Sequence, residues 1–287
     1  MSTIADDLPS IAVTGVTGRV GGLVARALAE RGVPQRLLAR SPQRAPELPG
    51  ARVIGCVYED SAPARQALDD VDVLFMVSAG ESERRRDEHL GFISAARASG
   101  VRHVVYLSFL GADEDSTFTL ARDHWATEEA IRASGMTWTF LRDSFYLDFF
   151  ADLPGEDGVI RGPAGRGRCA AVARSDAAAV AARVMMEPWA WERRTLTLTG
   201  PQALTMDEVA ETIHRVTGRP CSFHDETVDE AYESRRAWSA PQWQYDAWVS
   251  TYTAIRSGEL DVVTGDVEEV LGRSPLSFED VLRLREQ

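Results

Sequence analysis

Along the first half of the chain, short apolar runs alternate with stretches in which apolar residues recur every three or four positions. Residues 11–14 form the first run, and glycines follow at once. Residues 20–31 then carry a helical period that ends at Gly32, a residue suited to a helix C-cap. Apolar runs at 35–39, 52–57, 71–77, 101–108 and 137–142 predict strands, and periodic stretches at 62–68, 88–99 and 122–133 predict helices. The 71–77 run is almost unbroken, as a strand buried on both faces requires. This alternation predicts an α/β fold with a doubly wound parallel sheet.

After residue 142 the pattern changes. Residues 155–167 are rich in Gly and Arg and read as a loop. An alanine-rich helix is expected over 175–186, with Ser175 as its cap and Asp176 in its first turn. Residues 195–199 read as a strand. Thr205-Met206-Asp207-Glu208 is a capping box opening a helix to 216, and a last helix covers 278–284. These features predict two parts. Residues 1–155 would be a dinucleotide-binding domain, and 156–287 a smaller, mostly helical substrate-binding region whose 176–200 segment packs back on the sheet.

The strongest motif is Thr14-Gly15-Val16-Thr17-Gly18-Arg19-Val20-Gly21, set between a predicted strand and a predicted helix. Gly15 allows the sharp turn, Gly18 lets backbone approach a pyrophosphate, and Gly21 permits close packing of helix on strand. The helix N-terminus adds free N–H groups and partial positive charge. In this context the motif predicts a Rossmann-type sheet and a bound dinucleotide. The second strand ends Leu38-Ala39-Arg40-Ser41, with Arg44 beyond, where a carboxylate would select NAD. Arg40 and Arg44 instead suit a 2′-phosphate, so NADP(H) is the expected cofactor, preferred over NADH. Arg19 adds charge near the phosphates, and Val77, Ser78 and Ala79, ending strand four, should border the cofactor's ribose. The bland alternative is that Arg40 and Arg44 are solvated surface residues.

Composition adds one strong constraint. Of 287 residues, 44 are acidic and 31 basic, a net charge of −13, and every basic residue is Arg. With no lysine, a Schiff-base mechanism and a P-loop are both excluded. The acidic balance argues against a nucleic-acid surface. Three separated cysteines (Cys56, Cys169, Cys221) and five histidines without metal-ligand spacing predict neither disulfides nor a zinc site. Residues 1–9 do not look like a signal peptide, and no apolar run is long enough to span a membrane, so a cytoplasmic protein without membrane contact is expected. The triplet Arg84-Arg85-Arg86, bracketed by Glu83, Asp87 and Glu88, reads as a solvated mixed-charge loop.

The glycine turn, the Arg after strand two, Tyr106-Leu107-Ser108-Phe109-Leu110-Gly111-Ala112, residues 128–140, Leu141-Arg142 and Arg273-Ser274-Pro275 with Phe278 resemble the NmrA-like family of atypical short-chain dehydrogenases. Within it the chain looks most similar to bacterial NAD(P)H-binding quinone oxidoreductases. The resemblance spans nearly the whole chain and implies NAD(P)H-dependent reduction of a quinone, enone or ketone, including aromatic secondary metabolites. It equally admits a cofactor-sensing regulator without turnover, or a tailoring enzyme whose net step is epimerisation or oxygenation. The family often places an Asp after strand three against the adenine. Here Val57 falls there, so that either adenine contact is looser or Glu59 or Asp60 substitutes.

Typical short-chain dehydrogenases use a Tyr-xxx-Lys pair, which a lysine-free chain cannot have. The resemblance implies a catalytic position early in the helix after strand five, occupied by His124. Histidine titrates near neutral pH and could move a proton or merely contact the nicotinamide ribose. Ser108 ends strand five and could bind a substrate oxygen or the carboxamide, or only satisfy backbone. Phe109 is expected beside the nicotinamide and the substrate. Tyr146 is a candidate acid and pocket residue, with Asp143 as another polar group. Trp238, Tyr245, Trp248 and Tyr252 share one helical face and read mainly as core, whereas Trp243 departs from it and is the better pocket candidate. A small-molecule substrate and a possible homodimer complete the expectations.

Overall fold

The computed structural model describes residues 9–286. The signal-peptide expectation falls almost wholly outside them. Strands β1 (Ile11–Val13), β2 (Gln35–Ala39), β3 (Ala51–Gly55), β4 (Val73–Val77), β5 (His103–Phe109) and β6 (Thr137–Asp143) alternate with helices α1 (Arg19–Glu30), α2 (Ala62–Leu68), α3 (Arg85–Ala98) and α4 (Thr119–Ser134). Then follow α5 (Leu147–Phe150), β7 (Val159–Gly162), α6 (Arg174–Met186), β8 (Arg194–Leu198), α7 (Met206–Thr217) and β9 (Ser222–Asp225). Helices α8 (Val228–Arg235), α9 (Gln242–Ser257), α10 (Asp266–Leu271) and α11 (Phe278–Arg285) complete the chain.

Seven strands form one sheet in the order β3-β2-β1-β4-β5-β6-β8. The pairs β1·β2, β2·β3, β1·β4 and β4·β5 are parallel, so this is a mostly parallel, doubly wound Rossmann-type sheet. The strand order reverses between β1 and β4, and in open α/β sheets such a switch point leaves a crevice at the carboxyl ends of the strands. Both strands are apolar because helices cover both faces: Ile11–Val13 and Val73–Met76 are all buried.

The chain divides into two compact units by an interleaved pattern rather than one cut near 155. The first comprises residues 1–108, 123–142 and 177–196. Its core packs Leu74, Met76, Phe92, Val104, Tyr106 and Phe140 around the sheet. The second comprises 109–122, 143–176 and 197–287, with its own core of Phe109, Phe150, Ile160, Ile213, Tyr252 and Phe278. The loop expected over 155–167 contains β7, which pairs with β9 in a parallel two-stranded sheet. That strand is only four residues long, too short for a periodicity to show. The capping box at Thr205 is present, and two more open α8 and α11. Among the described residues no helix is long and apolar enough to cross a membrane.

Candidate active site

After β1 the chain turns through Gly15 at φ +66°, a conformation that L side chains rarely adopt. A Cβ there would also lie 2.9 Å from the Val77 Cβ, so β4 leaves no room for one. The turn closes with the Gly18 N–H donating to the Gly15 carbonyl at 2.8 Å. A Cβ on Gly21 would fall 2.4 Å from the same carbonyl oxygen, which is the close helix-on-strand packing the motif requires. Gly18 caps α1 without any side-chain hydrogen bond, and the first turn holds no acidic residue. Helix α1 thus starts without the capping box that opens α7, α8 and α11. Thr17, Gly18 and Arg19 are exposed and Val20 is buried. The turn fits a pyrophosphate: bare glycine backbone and the positive end of a helix. The hydroxyl of Thr14 turns inward instead, accepting from the Val77 N–H at 2.9 Å and lying 2.6 Å from the Tyr58 hydroxyl.

Arg40 and Arg44 are exposed just past β2, and neither carries an ion pair among the described residues. Beyond β3, Val57 is exposed, whereas Asp60 is held by Arg65 at 2.7 Å and by the Ser94 hydroxyl at 2.8 Å. The carboxylate of Asp60 is thus already engaged.

The segment after β4 is clamped from below. The His89 Nε2 accepts the Ala79 N–H at 2.8 Å, and the Arg85 Nε donates to the Ala79 carbonyl at 3.1 Å. Because His89 Nε2 accepts, its Nδ1 carries the proton and donates to the Thr127 hydroxyl at 2.8 Å, which donates on to the Asp123 carbonyl at 2.6 Å. Burial and the nearby Arg85 push His89 down to about 3, so it stays neutral. Arg85 is 3% exposed and paired with Asp123 at 2.8 Å. This corrects the reading of 84–86 as a solvated loop: α3 begins here and turns the middle arginine into the interior.

The same guanidinium lies 2.9 Å from His124 Nε2. A guanidinium only donates, so Nε2 accepts, and Nδ1–H is left to donate to the Tyr106 hydroxyl at 2.9 Å. Burial first, then Arg85, His89 and Arg142, hold His124 well below the usual histidine range. The expectation of a His124 titrating near neutral pH is therefore corrected; both ring nitrogens are engaged inside the first unit. Ser108 is also corrected. It is fully buried on β5 and donates at 2.6 Å to Glu128, a carboxylate gripped by Arg142 through two bonds of 2.8 Å and by Arg132 at 2.9 Å. The proton of its hydroxyl is committed to that network.

In the second unit, Phe109 is buried in a cluster of rings, 5.0 Å from Phe118 and 5.1 Å from Phe145, which makes it a core residue there. Asp143 is 5% exposed and receives the Tyr146 hydroxyl in a short hydrogen bond, while the Arg174 guanidinium sits 4.9 Å over the Tyr146 ring. Burial raises Asp143 to about 8, against the lowering by Tyr146 and Arg174. Tyr146 is raised well above the usual phenol range by burial and by the carboxyl beside it. The pair is a weak-acid couple that carries protons at neutral pH. Trp243 is half-buried at the start of α9, and a cavity of this unit is lined by Trp238, Trp248 and Tyr252 but not by Trp243. Sequence reasoning missed Tyr58, Arg85, His89 and Glu128; only His89 carried a signal, an imidazole at helical spacing from the buried Phe92, Ile93 and Ala96.

A glycine turn leading into a helix N-terminus at the switch point of a Rossmann-type sheet defines a dinucleotide-binding protein. The NAD(P)H-binding family profile matches residues 15–188. A (4-alkanoyl-5-oxo-2,5-dihydrofuran-3-yl)methyl phosphate reductase of Streptomyces griseus is 36% identical over 94% of this chain and 95% of its own length. An NmrA-like family domain-containing oxidoreductase of Aspergillus flavus is 30% identical over 79% of this chain and 77% of its own. Among solved structures, the NADPH complex of an NADPH-dependent quinone oxidoreductase from Escherichia coli superposes with a TM-score of 0.88 at 27% identity, covering 96% of this chain and 100% of that one. The chain belongs to the NAD(P)H-binding, NmrA-like family of oxidoreductases.

Proposed function

We propose that this NAD(P)H-dependent oxidoreductase prefers NADPH and reduces a quinone or a conjugated enone, aromatic secondary metabolites included. The turn at residues 14–21 would hold the pyrophosphate, Arg40 and Arg44 the 2′-phosphate, and residues 77–79 the ribose. When bound, the dinucleotide supplies a hydride. The observation that carries the choice of substrate is the acid inventory. The chain has no lysine, and His124 is neutral with both nitrogens engaged. A simple ketone becomes a localised alkoxide and needs a proton donor placed at its oxygen as the hydride arrives. A quinone or enone spreads the developing charge by conjugation and takes its proton from water or a weak acid. Tyr146, backed by Asp143, is the group we assign to that proton. The names of the E. coli and Streptomyces relatives support a reductase of conjugated or acyl-bearing rings.

NADPH consumption with a naphthoquinone, a cyclic enone and an aryl ketone tests this. Rates should fall in that order, and Tyr146→Phe should slow the enone about tenfold or more while sparing the quinone. Tight NADPH binding with no turnover across the panel would sink the reading in favour of a cofactor sensor. Preference for the aryl ketone would sink the role given to the weak-acid couple.

A further inference from the structure

The second unit holds a cavity of about 700 Å³, a volume within the range of small-molecule sites. Its walls are Phe149, Leu153, Trp238, Trp248 and Tyr252. Trp238 is 61% exposed and Phe149 37%, so two of the three exposed aromatic rings among the large exposed hydrophobics face this one space. The walls are fixed by contacts behind them. Trp238 and Trp248 meet edge to face at 6.4 Å, and the Tyr245 hydroxyl ties down the Trp238 carbonyl at 2.7 Å. Tyr252 lies against bare glycine backbone, since a Cβ on Gly162 would meet its ring at 2.4 Å, and the Arg235 guanidinium covers it at 5.3 Å.

The charged groups at the cavity are each neutralised from outside its lining. Arg235 pairs with the buried Glu226 at 2.7 Å, Arg161 with Asp157 at 2.5 Å, and Asp152 with Arg285 at 2.5 Å. The Thr251 hydroxyl donates to the Ala247 carbonyl and that of Ser234 to Ala231. No charge is left over to select an ion, and the flat rings favour a flat guest. We propose that this cavity is a binding site for neutral, planar aromatic molecules of two or three fused rings, built wholly within the second unit and occupied without the dinucleotide.

The test uses the full chain without cofactor, titrated with aminoanthracene, a neutral tricyclic probe that brightens in apolar surroundings. Saturable binding of one probe per chain is expected. Trp238→Ala, an exposed position with little folding risk, should weaken it about tenfold. Thr251→Phe, which pushes a ring into the space a guest would occupy, should weaken it about tenfold or more, whereas Trp189→Ala, an exposed tryptophan of the first unit, should leave it unchanged. NADPH binding, followed separately, should survive all three substitutions. Absence of saturable binding, or binding indifferent to both Trp238→Ala and Thr251→Phe, would overturn the proposal. So would a dimer in sedimentation that excludes the probe and dissociates with Trp238→Ala, since a second copy would then be the occupant.

Discussion

Replacing Asp143 by Asn should stabilise the protein, and more so as the pH rises. In the folded chain the carboxyl is buried and its pKa is raised to about 8; the model-compound value is 3.8. Between those two values the folded state holds a proton that the unfolded state has released. Stability therefore falls as pH rises through this window, and the loss is complete above the folded pKa. Four units correspond to a ceiling of about 6 kcal/mol, and local relaxation and water entry cut this to about 2–3 kcal/mol. Asparagine keeps the shape and can still accept the Tyr146 hydroxyl, but it has no proton to lose. The assay is urea unfolding of both proteins at pH 5 and pH 9, compared as a double difference so that groups common to both cancel. The variant's advantage should be small at pH 5 and reach about 2 kcal/mol at pH 9. A double difference of zero would refute the argument and return Asp143 to an ordinary, solvated carboxylate.

Two further outcomes follow from the first unit. Arg40→Ala combined with Arg44→Ala should weaken NADPH by about ten- to hundredfold through lost charge-assisted bonds while leaving NADH affinity unchanged, measured by calorimetric titration; equal losses for both would remove the 2′-phosphate from their role. Glu128→Gln should destabilise by about 3 kcal/mol in urea unfolding, because it removes the one carboxylate between Arg142, Arg132 and Ser108; a change below about 0.5 kcal/mol would show that the network carries no net stability.

The sheet and the glycine turn were legible because each rests on local rules. A strand buried on both faces has to be apolar, and the Gly15 and Gly21 positions have no space for a Cβ. The interior polar chemistry was not legible, because it depends on which side chains the fold brings face to face. Arg85 sits between two other arginines and four acidic neighbours, a pattern that reads as solvent, yet one helical turn aims it at Asp123 and His124. Ser108 and Tyr106 alternate on β5 toward the same helix, so the residues that sequence position marks as candidates for catalysis are drawn into α4's network. On the proposed function, a division of labour would replace the missing lysine. Arginines hold the first unit's Asp123 and Glu128 in place, and burial with Arg85 beside them keeps His89 and His124 neutral. The titrating pair, Asp143 and Tyr146, lies just past the last residue of that network, Arg142. A chain whose only cations are guanidiniums cannot lower a phenol with an ammonium, but it can bury a carboxyl until it behaves as an acid near neutral pH. On the function proposed above, that substitution of desolvation for a cation is why a weak-acid couple would be matched to a substrate needing little acid.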